Sequence, residues 1–336
     1  MSHWESKVVA KAYAAARPQY PKEMHAYIAK FLENAVGTSR SVGATPVTVV
    51  DVGCGSGQAT GDLAAAIGKR AHVIGVDTSK AQIETAQEEE QKLKLSGRDP
   101  ITFLVSGAEA FVKTVQPHIP QPHDKGTTTS NPQSVVFVAQ AMHWFDIPKF
   151  ADQCRQYHRF VGGGGATAGS WLMACTYLLF RTSNAAVNEL ILKLDSYLMA
   201  NDFWPRERKH IDDNYMVLTQ QLAHEGFMQV GGVSGSKHEP TATFTYSKPE
   251  VTLGGILQYL GTWSGVQRWR DKHMEDKLDG FGDPKDILDQ FKDDTIAAMK
   301  AEKGSSNINV DPESMVLGCE FPVSLFIYSD EGRKAD

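Results

Sequence analysis

Residues 50–60, "VDVGCGSGQAT", decide the fold class, because three glycines at alternate positions follow an apolar, β-branched run. The run at 47–52, "VTVVDV", predicts a buried strand, and residues 60–67 predict an alanine-rich helix. Glycine tolerates the positive φ angles of a tight turn and lets main chain approach a ligand closely. We therefore predict a ligand-binding turn between a first strand and its helix.

Further strands follow the first, separated by helical segments. Strands are predicted at 72–77, 101–106 and 134–141 and after a glycine run at 162–165, and a polar helix is predicted at 80–95. This alternation predicts an α/β fold in which a doubly wound, mostly parallel sheet is covered by helices on both faces. The segment 116–133, rich in Pro, Thr, Ser and Asn, interrupts it and is predicted to be a mobile surface loop.

The second half of the chain has a different pattern, in which long helical segments predominate. Helices are predicted at 183–200, 212–226, 249–262 and 284–303, and strands at 241–247 and 320–329. The last strand alternates apolar and polar residues as an antiparallel strand does. We therefore expect a helical insertion, after which late strands complete the sheet.

Composition excludes several classes of function. The formal net charge of the 336-residue chain is −6, so it has no excess of positive charge that would favour binding to nucleic acid or an anionic membrane. No run of about 18 apolar residues could span a bilayer, and the N-terminus lacks a signal-peptide core. Four scattered cysteines without C-x-x-C spacing favour a reduced, cytoplasmic protein. His118 and His123 lack partners in the sequence, so no metal site is predicted.

The glycine spacing indicates which ligand the turn holds. The dinucleotide-binding pattern G-x-G-x-x-G can be aligned on Gly53 and Gly55. It then requires a third glycine at position 58, where the chain has Gln58. The sequence instead reads acidic-x-G-x-G-x-G, from Asp51 to Gly57. A nicotinamide oxidoreductase thus becomes the last of the alternatives.

This pattern resembles motif I of the class I S-adenosylmethionine-dependent methyltransferases. Asp77 ends the next strand, where a carboxylate can accept hydrogen bonds from both ribose hydroxyls. Nicotinamide enzymes also use a carboxylate at this position to bind ribose hydroxyls. In addition, Asp77 and Thr78 are residue types that favour the start of a helix. The resemblance implies a seven-stranded, Rossmann-like sheet, S-adenosyl-L-methionine as cofactor, and adenine contacts from Ala108 and Glu109. Glu109 is equally explained as a first-turn helix charge.

The fourth predicted strand leads into "VAQAMHWFD" at 138–146. The carboxyl end of a parallel strand is where ligands bind in such sheets. Gln140, His143 and Trp144 are therefore predicted beside the reacting group, although a lone His-Trp pair is more often core packing.

Three more segments narrow the resemblance to the yeast-type trans-aconitate methyltransferases of the methyltransferase-11 group. They are "YAAARPQYP" (13–21), "FWPRERKHIDDNY" (203–215) and "YLGTWSGVQRW" (259–269), so the resemblance extends over almost the whole chain. The loop at 116–133 and the glycine run at 162–165 depart from the family pattern. The implied organisation is an N-terminal lid segment (1–30), a cofactor-binding core (31–173), a helical substrate-lid insertion (174–305) and a final strand completing the core (306–336).

The resemblance also implies roles for individual residues. Tyr13 and Arg17, on a segment that closes over the cofactor, are predicted to contact it, and Tyr13, His143 and Trp144 are predicted to form the catalytic group. The predicted acceptor-binding residues are Tyr20, His143, Trp204, Arg206, Trp263 and Arg268. Arg208 is a further candidate cation, and one or two of the arginines are expected to reach the pocket.

The function implied is methyl transfer from S-adenosylmethionine to a small-molecule acceptor, with the carboxylate of an organic acid favoured. An ionised carboxylate needs cations to hold it and no general base. His143 would donate a hydrogen bond to a carboxylate, or act as base if the acceptor is a hydroxyl. Another small metabolite or lipid-like acceptor, and a non-catalytic cofactor-binding regulatory protein, remain alternatives. We expect no nucleic-acid or membrane partner, and a monomer or weak homodimer.

Overall fold

The computed structural model describes residues 18–35, 47–93, 100–120, 133–162, 169–232, 239–278, 285–302 and 311–330. The helices are α1 (Lys22–Asn34), α2 (Gln58–Ile67), α3 (Lys80–Leu93), α4 (Phe111–Val115), α5 (Ile147–Val161), α6 (Ala185–Ala200), α7 (Lys209–Asp212), α8 (Met216–His224), α9 (Leu253–Gly261), α10 (Ser264–Leu278) and α11 (Ile287–Glu302). The strands are β1 (Val47–Val52), β2 (Ala71–Asp77), β3 (Thr102–Val105), β4 (Gln133–Ala139), β5 (Ser170–Tyr177), β6 (Phe227–Gln229), β7 (Ala242–Lys248) and β8 (Cys319–Asp330).

The strands form one sheet in the order β3-β2-β1-β4-β5-β8, with β6 and β7 together on the outer edge of β8. Strands β1 to β5 pair in parallel, and β8 runs antiparallel to β5. β6 pairs with the end of β8 and β7 with its beginning, so the two share one edge position. The predicted α/β fold, with a mostly parallel sheet and an antiparallel late strand, is confirmed. The described sheet has eight strands and not the seven that the resemblance implies, because β6 and β7 share the last edge position.

The sheet separates two apolar cores. All six residues of β1 are buried, and successive side chains point to opposite faces. Val49 and Val135 belong to one core, whereas their neighbours Val50 and Val136 belong to the other. Helices therefore cover both faces, and this two-sided burial explains why the strands read as continuous apolar runs.

The topology places a crevice at the carboxyl end of β1. This strand pairs with β2 on one side and with β4 on the other, so the strand order reverses here. In open α/β sheets, ligands bind outside the carboxyl ends of strands at such a switch point. The glycine turn and the residues after β4 both lie at this position.

The helical insertion is split in two along the chain. Helices α6 to α8 follow β5, whereas α9 to α11 follow β7, and α6 packs against α10 and α11. Strand β6 and helix α10 were not predicted from the sequence. The predicted boundary at residue 30 falls within α1, whose Met24, Ile28 and Leu32 are buried in the core beneath the sheet.

No helix within the described ranges is both long and apolar enough for a membrane span.

Candidate functional site

The glycine turn after β1 has the backbone that its sequence predicts. Gly53, Gly55 and Gly57 have φ angles of 76°, 54° and 82°, in the left-handed region that favours glycine. The N–H groups of Gly53 and Cys54 both donate to the carbonyl of Val76, at 2.8 and 3.0 Å. The turn is thus tied to the end of β2, and Gly57 leads directly into α2.

The three glycines have different packing requirements. A Cβ on Gly53 would lie 2.5 Å from the Cβ of Ala141, and one on Gly57 would lie 2.7 Å from the ring of Phe103. A Cβ on Gly55 would meet no atom within 4 Å. Packing therefore requires glycine at the outer two positions, whereas the middle glycine faces open space that a ligand can approach.

Asp51 lies beneath the turn and is fully buried. Its Oδ2 accepts a hydrogen bond from the Thr60 hydroxyl at 2.6 Å. Its Oδ1 is buried and has no hydrogen-bond partner in the described part of the chain. Burial raises the pKa of Asp51 to about 7, and the Thr60 bond opposes that rise. An unsatisfied buried oxygen of this kind fits a site completed by a ligand or by water.

Asp77, at the end of β2, joins the turn to the following helix. Its Oδ2 accepts the N–H of Gly55 at 3.0 Å, and its Oδ1 accepts the N–H of Ser79 at 2.8 Å. Burial raises the pKa of Asp77, while these two hydrogen bonds lower it. Thr78 lies beside it and is exposed. The carboxylate thus both organises the helix start and sits beside the open glycine.

The turn after β3 contacts the segment after β4. Ala108 is buried in the core, and Glu109 is half-buried. The Oε1 of Glu109 accepts the N–H of Asp146 at 3.0 Å. The two loops predicted to contact adenine and acceptor are therefore linked directly.

Gln140 joins the carboxyl ends of β4 and β5. Its φ of 54° is unusual for a residue other than glycine. Its Oε1 accepts hydrogen bonds from the N–H of Tyr177 at 2.8 Å and from the Thr176 hydroxyl at 2.9 Å. The side chain predicted to contact the cofactor is thus held in place by β5.

A cavity of about 90 Å³ opens beside His143. His143 is buried, and its Nδ1 lies 3.2 Å from the hydroxyl of the fully buried Tyr215. Trp144, by contrast, is 52% exposed. The lining is mainly aromatic and aliphatic and comprises Gln140, His143, Trp144, Tyr177, Leu178, Leu179, Trp204, Pro205, Arg208, Ile211, Tyr259, Trp263 and Ser264.

A second part of the cavity wall comes from the helical insertion. The rings of Trp204 and Trp263 lie 5.2 Å apart, and the indole N–H of Trp204 donates to Asp195 at 3.0 Å. The guanidinium of Arg208 lies 5.2 Å from the ring of Trp204 and forms ion pairs with Asp195 and Asp212. Burial raises the pKa of Asp195, and the charge of Arg208 opposes that rise.

The structure brings five predicted site residues together in the cavity wall, namely Gln140, His143, Trp144, Trp204 and Trp263. It does not bring Arg206 or Arg268 there: both are exposed, and Arg208 takes the place of the predicted cation. Tyr20 is half-buried, with its ring 6.1 Å from that of Tyr177 in the cavity wall. Tyr13 and Arg17 lie outside the described residues.

Sequence reasoning missed several residues of the site. Tyr177 ends β5 and Leu178 follows it, and their place at the carboxyl end of a parallel strand was an available signal. Tyr215 and Tyr259 lie within the segments 203–215 and 259–269 that carry the resemblance, but they were not predicted as site residues. No local pattern separates them from core aromatics.

No cluster of three or more candidate metal ligands occurs in the described ranges. The carbonyl of His118 lies 2.9 Å from the ring of His72, and His123 lies outside those ranges. All four cysteines are buried thiols, and burial raises the pKa of each.

Comparison with known proteins finds a family match for the segment that carries the turn. Residues 45–158 match the family model of the methyltransferase domain. A protein of Dictyostelium discoideum, named as a candidate methyltransferase, is 24% identical over 325 residues, which cover 96% of this chain and 94% of that protein. The match to the methyltransferase domain includes β1 to β4, the glycine turn, Asp77 and His143.

Two solved structures are among those that the chain matches. One is a SAM-dependent methyltransferase from Thiobacillus denitrificans in complex with S-adenosyl-L-homocysteine, with 13% identity, a TM-score of 0.37, and coverage of 96% of this chain and 97% of that one. The other is phosphoethanolamine N-methyltransferase 2 from Haemonchus contortus in complex with S-adenosyl-L-methionine, with 13% identity and a TM-score of 0.40. That match covers 96% of this chain, which spans 58% of the Haemonchus chain.

The segment matched by the family model holds only half of the site. The glycine turn, Asp77, Glu109 and His143 lie within residues 45–158, whereas Trp204, Arg208 and Trp263 lie beyond them. The turn and the carboxylates are thus inside the matched domain, and the aromatic wall of the cavity is outside it.

Proposed function

We propose that this chain is an S-adenosyl-L-methionine-dependent methyltransferase that methylates a small molecule in the aromatic cavity. One observation supports this above all: a single segment contacts both halves of the site. Ala141 packs against Gly53 of the glycine turn, and His143, two residues later, lines the cavity. A cofactor on the turn and an acceptor in the cavity would therefore meet across residues 140–144.

The residues around the turn suit this cofactor. We assign the ribose hydroxyls to Asp77, the close approach of the cofactor to Gly55, and a further polar contact to the unpartnered Oδ1 of Asp51. Ala108 and Glu109 remain the proposed adenine contacts, with Thr78 and Gln140 beside the site and Tyr13 and Arg17 on the N-terminal segment. When bound, the cofactor supplies a methyl group activated by a sulfonium.

The chain's own contribution is to position the acceptor and to exclude water. The rings of Trp204, Trp263 and Tyr259 form an apolar wall, which suits a small organic molecule and tolerates a nearby positive charge. His143 projects from the cofactor side of the same cavity. Holding the two reactants in this geometry converts a bimolecular encounter into a unimolecular step.

The first candidate for the acceptor is the carboxylate of an organic acid, the class that the resemblance to trans-aconitate methyltransferases implies. Arg208 is the cation in the cavity wall that could bind it. Asp195 and Asp212 already compensate its charge, so a carboxylate would have to share this arginine. The second candidate is a hydroxyl, which His143 favours because a histidine can take its proton.

For the wider organisation we propose the predicted cofactor-binding core and the substrate lid at 174–305, with a closing strand in the final segment (306–336). Helix α1 (Lys22–Asn34) is assigned to the core and not to the lid segment predicted for residues 1–30, because its Met24, Ile28 and Leu32 are buried there. We propose a cytoplasmic monomer or weak homodimer without a nucleic-acid or membrane partner, since the formal net charge is −6.

The test is a screen of metabolites with a cofactor carrying a labelled methyl group, together with calorimetric titration of S-adenosylhomocysteine and NADH. Incorporation of label into a small acid or alcohol supports the proposal, and lability of the product to base separates esters from ethers. Binding of the cofactor without transfer to any acceptor would favour the non-catalytic alternative. Binding of NADH alone would refute the assignment of the cofactor.

A further inference from the structure

Trp204 reaches the cavity wall through a turn that follows helix α6. Asp202 has a φ of 57°, in the left-handed region in which many helices end. The N–H groups of Phe203 and Trp204 then both donate to the carbonyl of Leu198, at 2.9 and 3.2 Å. The chain therefore turns back toward α6, and Trp204 lies beside Asp195 of that helix.

Asp195 fixes the edge of the Trp204 indole. Its Oδ1 accepts the indole N–H at 3.0 Å, and its side chain is only 17% exposed. An indole has a single hydrogen-bond donor, so this bond restricts how the ring can rotate. The same oxygen lies 3.8 Å from the guanidinium of Arg208, which itself lies over the indole ring. One carboxylate therefore holds two residues of the cavity wall.

Gly265, in helix α10, supports the face of the same indole. A Cβ on this buried glycine would lie 3.0 Å from Cδ2 of Trp204 and 3.2 Å from both Cε2 and Cε3. Cδ2 is a ring-fusion atom, which can be approached this closely only from above or below the ring plane. The helix backbone at Gly265 therefore packs flat against the indole. Gly265 does not have a positive φ, so packing is what favours glycine here.

We propose that Asp195 and Gly265 are positioning residues that fix Trp204 and thereby limit the length of the acceptor that the cavity admits. Trp204 lines the cavity, whereas Asp195 and Gly265 do not. The rings of Trp204 and Trp263 are buried 5.2 Å apart in a close-packed core, so the cavity is the open space into which a displaced indole would move. The proposal rests on the proposed function and specifies how its acceptor site selects by size.

Gly265→Ala tests the support of the indole face. The added methyl group requires the ring to move by a few tenths of an ångström. One methylene too many in an apolar pocket changes selectivity about 10- to 200-fold, so KM for acceptors longer than the preferred one should rise about tenfold, with kcat for shorter ones unchanged. Gly261→Ala, at the end of α9, is the matched control. A Cβ there would meet its nearest atoms at 3.8 and 4.0 Å, which are ordinary contacts, so selectivity should stay that of the wild type.

Substitutions of Asp195 test the bond at the indole edge. Asp195→Leu removes the acceptor, whereas Asp195→Asn keeps an oxygen that can accept the indole N–H. Asp212→Asn is the control, since Asp212 pairs with Arg208 and not with the indole. The measurement is hydrogen exchange of the indole N–H groups by ¹H–¹⁵N NMR, in which Trp204→Phe assigns the Trp204 signal. Exchange of that signal should be about tenfold faster in Asp195→Leu and close to the wild-type rate in the other two variants.

The decisive experiment titrates the protein with linear probes of increasing length, the carboxylates from propionate to octanoate and the alcohols from propanol to octanol. Binding is followed by the Trp204 indole signal in the presence of S-adenosylhomocysteine. We expect the wild type to bind each series up to a limiting length. Gly265→Ala should shorten this limit, Asp195→Leu should extend it, and Asp195→Asn and Gly261→Ala should retain it. An unchanged limit in both Gly265→Ala and Asp195→Leu, or no binding of any probe, would overturn the proposal.

The titration requires no methyl transfer, so this proposal and the proposed function can fail separately. A shorter limit in Gly265→Ala, with no transfer to any metabolite in the screen, would support the fixed position of Trp204 and refute the enzymatic activity. Transfer with equal selectivity for length in the wild type, Gly265→Ala and Asp195→Leu would support the activity and overturn the positioning role.

Discussion

Gly53 lies so close to Ala141 that a Cβ on the glycine would be 2.5 Å from the Cβ of the alanine. The first residue belongs to the turn after β1 and the second to the segment after β4, which also delivers Gln140 and His143 to the cavity. Because real Cβ atoms do not approach this closely, a side chain on Gly53 would displace that segment. The proposed cofactor and acceptor halves of the site are therefore mechanically coupled.

Gly53→Ala should impair both cofactor binding and methyl transfer. Gly231→Ala is the matched control, since Gly231 has a similar positive φ of 69° but open space around its Cβ. Left-handed strain alone lowers the free energy of unfolding by about 1–2 kcal/mol, which is the effect expected for Gly231→Ala. Gly53→Ala should cost more and should also weaken S-adenosylhomocysteine binding, measured by denaturant unfolding and calorimetry. Equal effects of the two variants would argue against the coupling.

Asp77→Asn should weaken cofactor binding while leaving the chain folded. The substitution removes the charge beside Gly55 and one of the oxygens that accept main-chain N–H groups. Hydrogen bonds to a charged group contribute about 1.5–3 kcal/mol, so affinity for S-adenosylhomocysteine should fall about 10- to 100-fold. Asp152→Asn, an exposed carboxylate on α5, should bind like the wild type in the same titration. Unchanged affinity in Asp77→Asn would remove the ribose assignment.

Arg208 and Arg206 lie two residues apart and should differ in their effect on the acceptor. Arg208 lines the cavity and packs on Trp204, whereas Arg206 is exposed. Arg208→Lys keeps the charge but loses the planar contact with the indole, and should raise the KM for the acceptor about tenfold, equivalent to about 1.4 kcal/mol. Arg206→Lys should leave KM unchanged. The comparison requires only steady-state kinetics with the best acceptor from the screen, and a reversed order of effects would exclude Arg208 from the binding site.

Asp51 gives a prediction about pH. Its pKa is raised to about 7 in the folded chain against about 4 when unfolded, so the folded state binds more protons in this window. The free energy of unfolding should therefore fall as pH rises from about 4 to about 7 and then level off. Asp51→Asn lacks this titration, so its stability relative to the wild type should increase between pH 5 and pH 8, by on the order of a few kcal/mol. Thermal unfolding of both proteins across this range tests it, and a pH-independent difference would be the contrary result.

Local sequence was sufficient to predict the first half of the fold. The strands β1 to β5 were predicted because each is a short apolar run between helical segments, a pattern set by burial on both faces of the sheet. The turn was predicted because positive φ leaves glycine as the residue of choice. Strand β6, of three residues, was not predicted, since it is held mainly by pairing with β8.

The composition of the cavity could not be predicted in the same way. Sequence reasoning selected Arg206 and Arg268, yet Arg208 lines the cavity. All three arginines lie in or next to helices, and the rotation of each helix decides which side chain faces inward. That rotation depends on packing against Asp195 and Trp204, a contact between distant parts of the chain.

The sequence by itself determined the parallel sheet, the glycine turn and its companion carboxylates, because these depend on periodicity and on the backbone freedom of glycine within a short stretch. Only the tertiary structure decided which arginine enters the cavity and that the phenol of Tyr215 lies beside His143. The hydrogen bonds between Thr176 and Gln140 and between Tyr215 and His143 join three separate segments. A hydrogen bond needs its partners within about 3 Å, and only folding brings these residues that close.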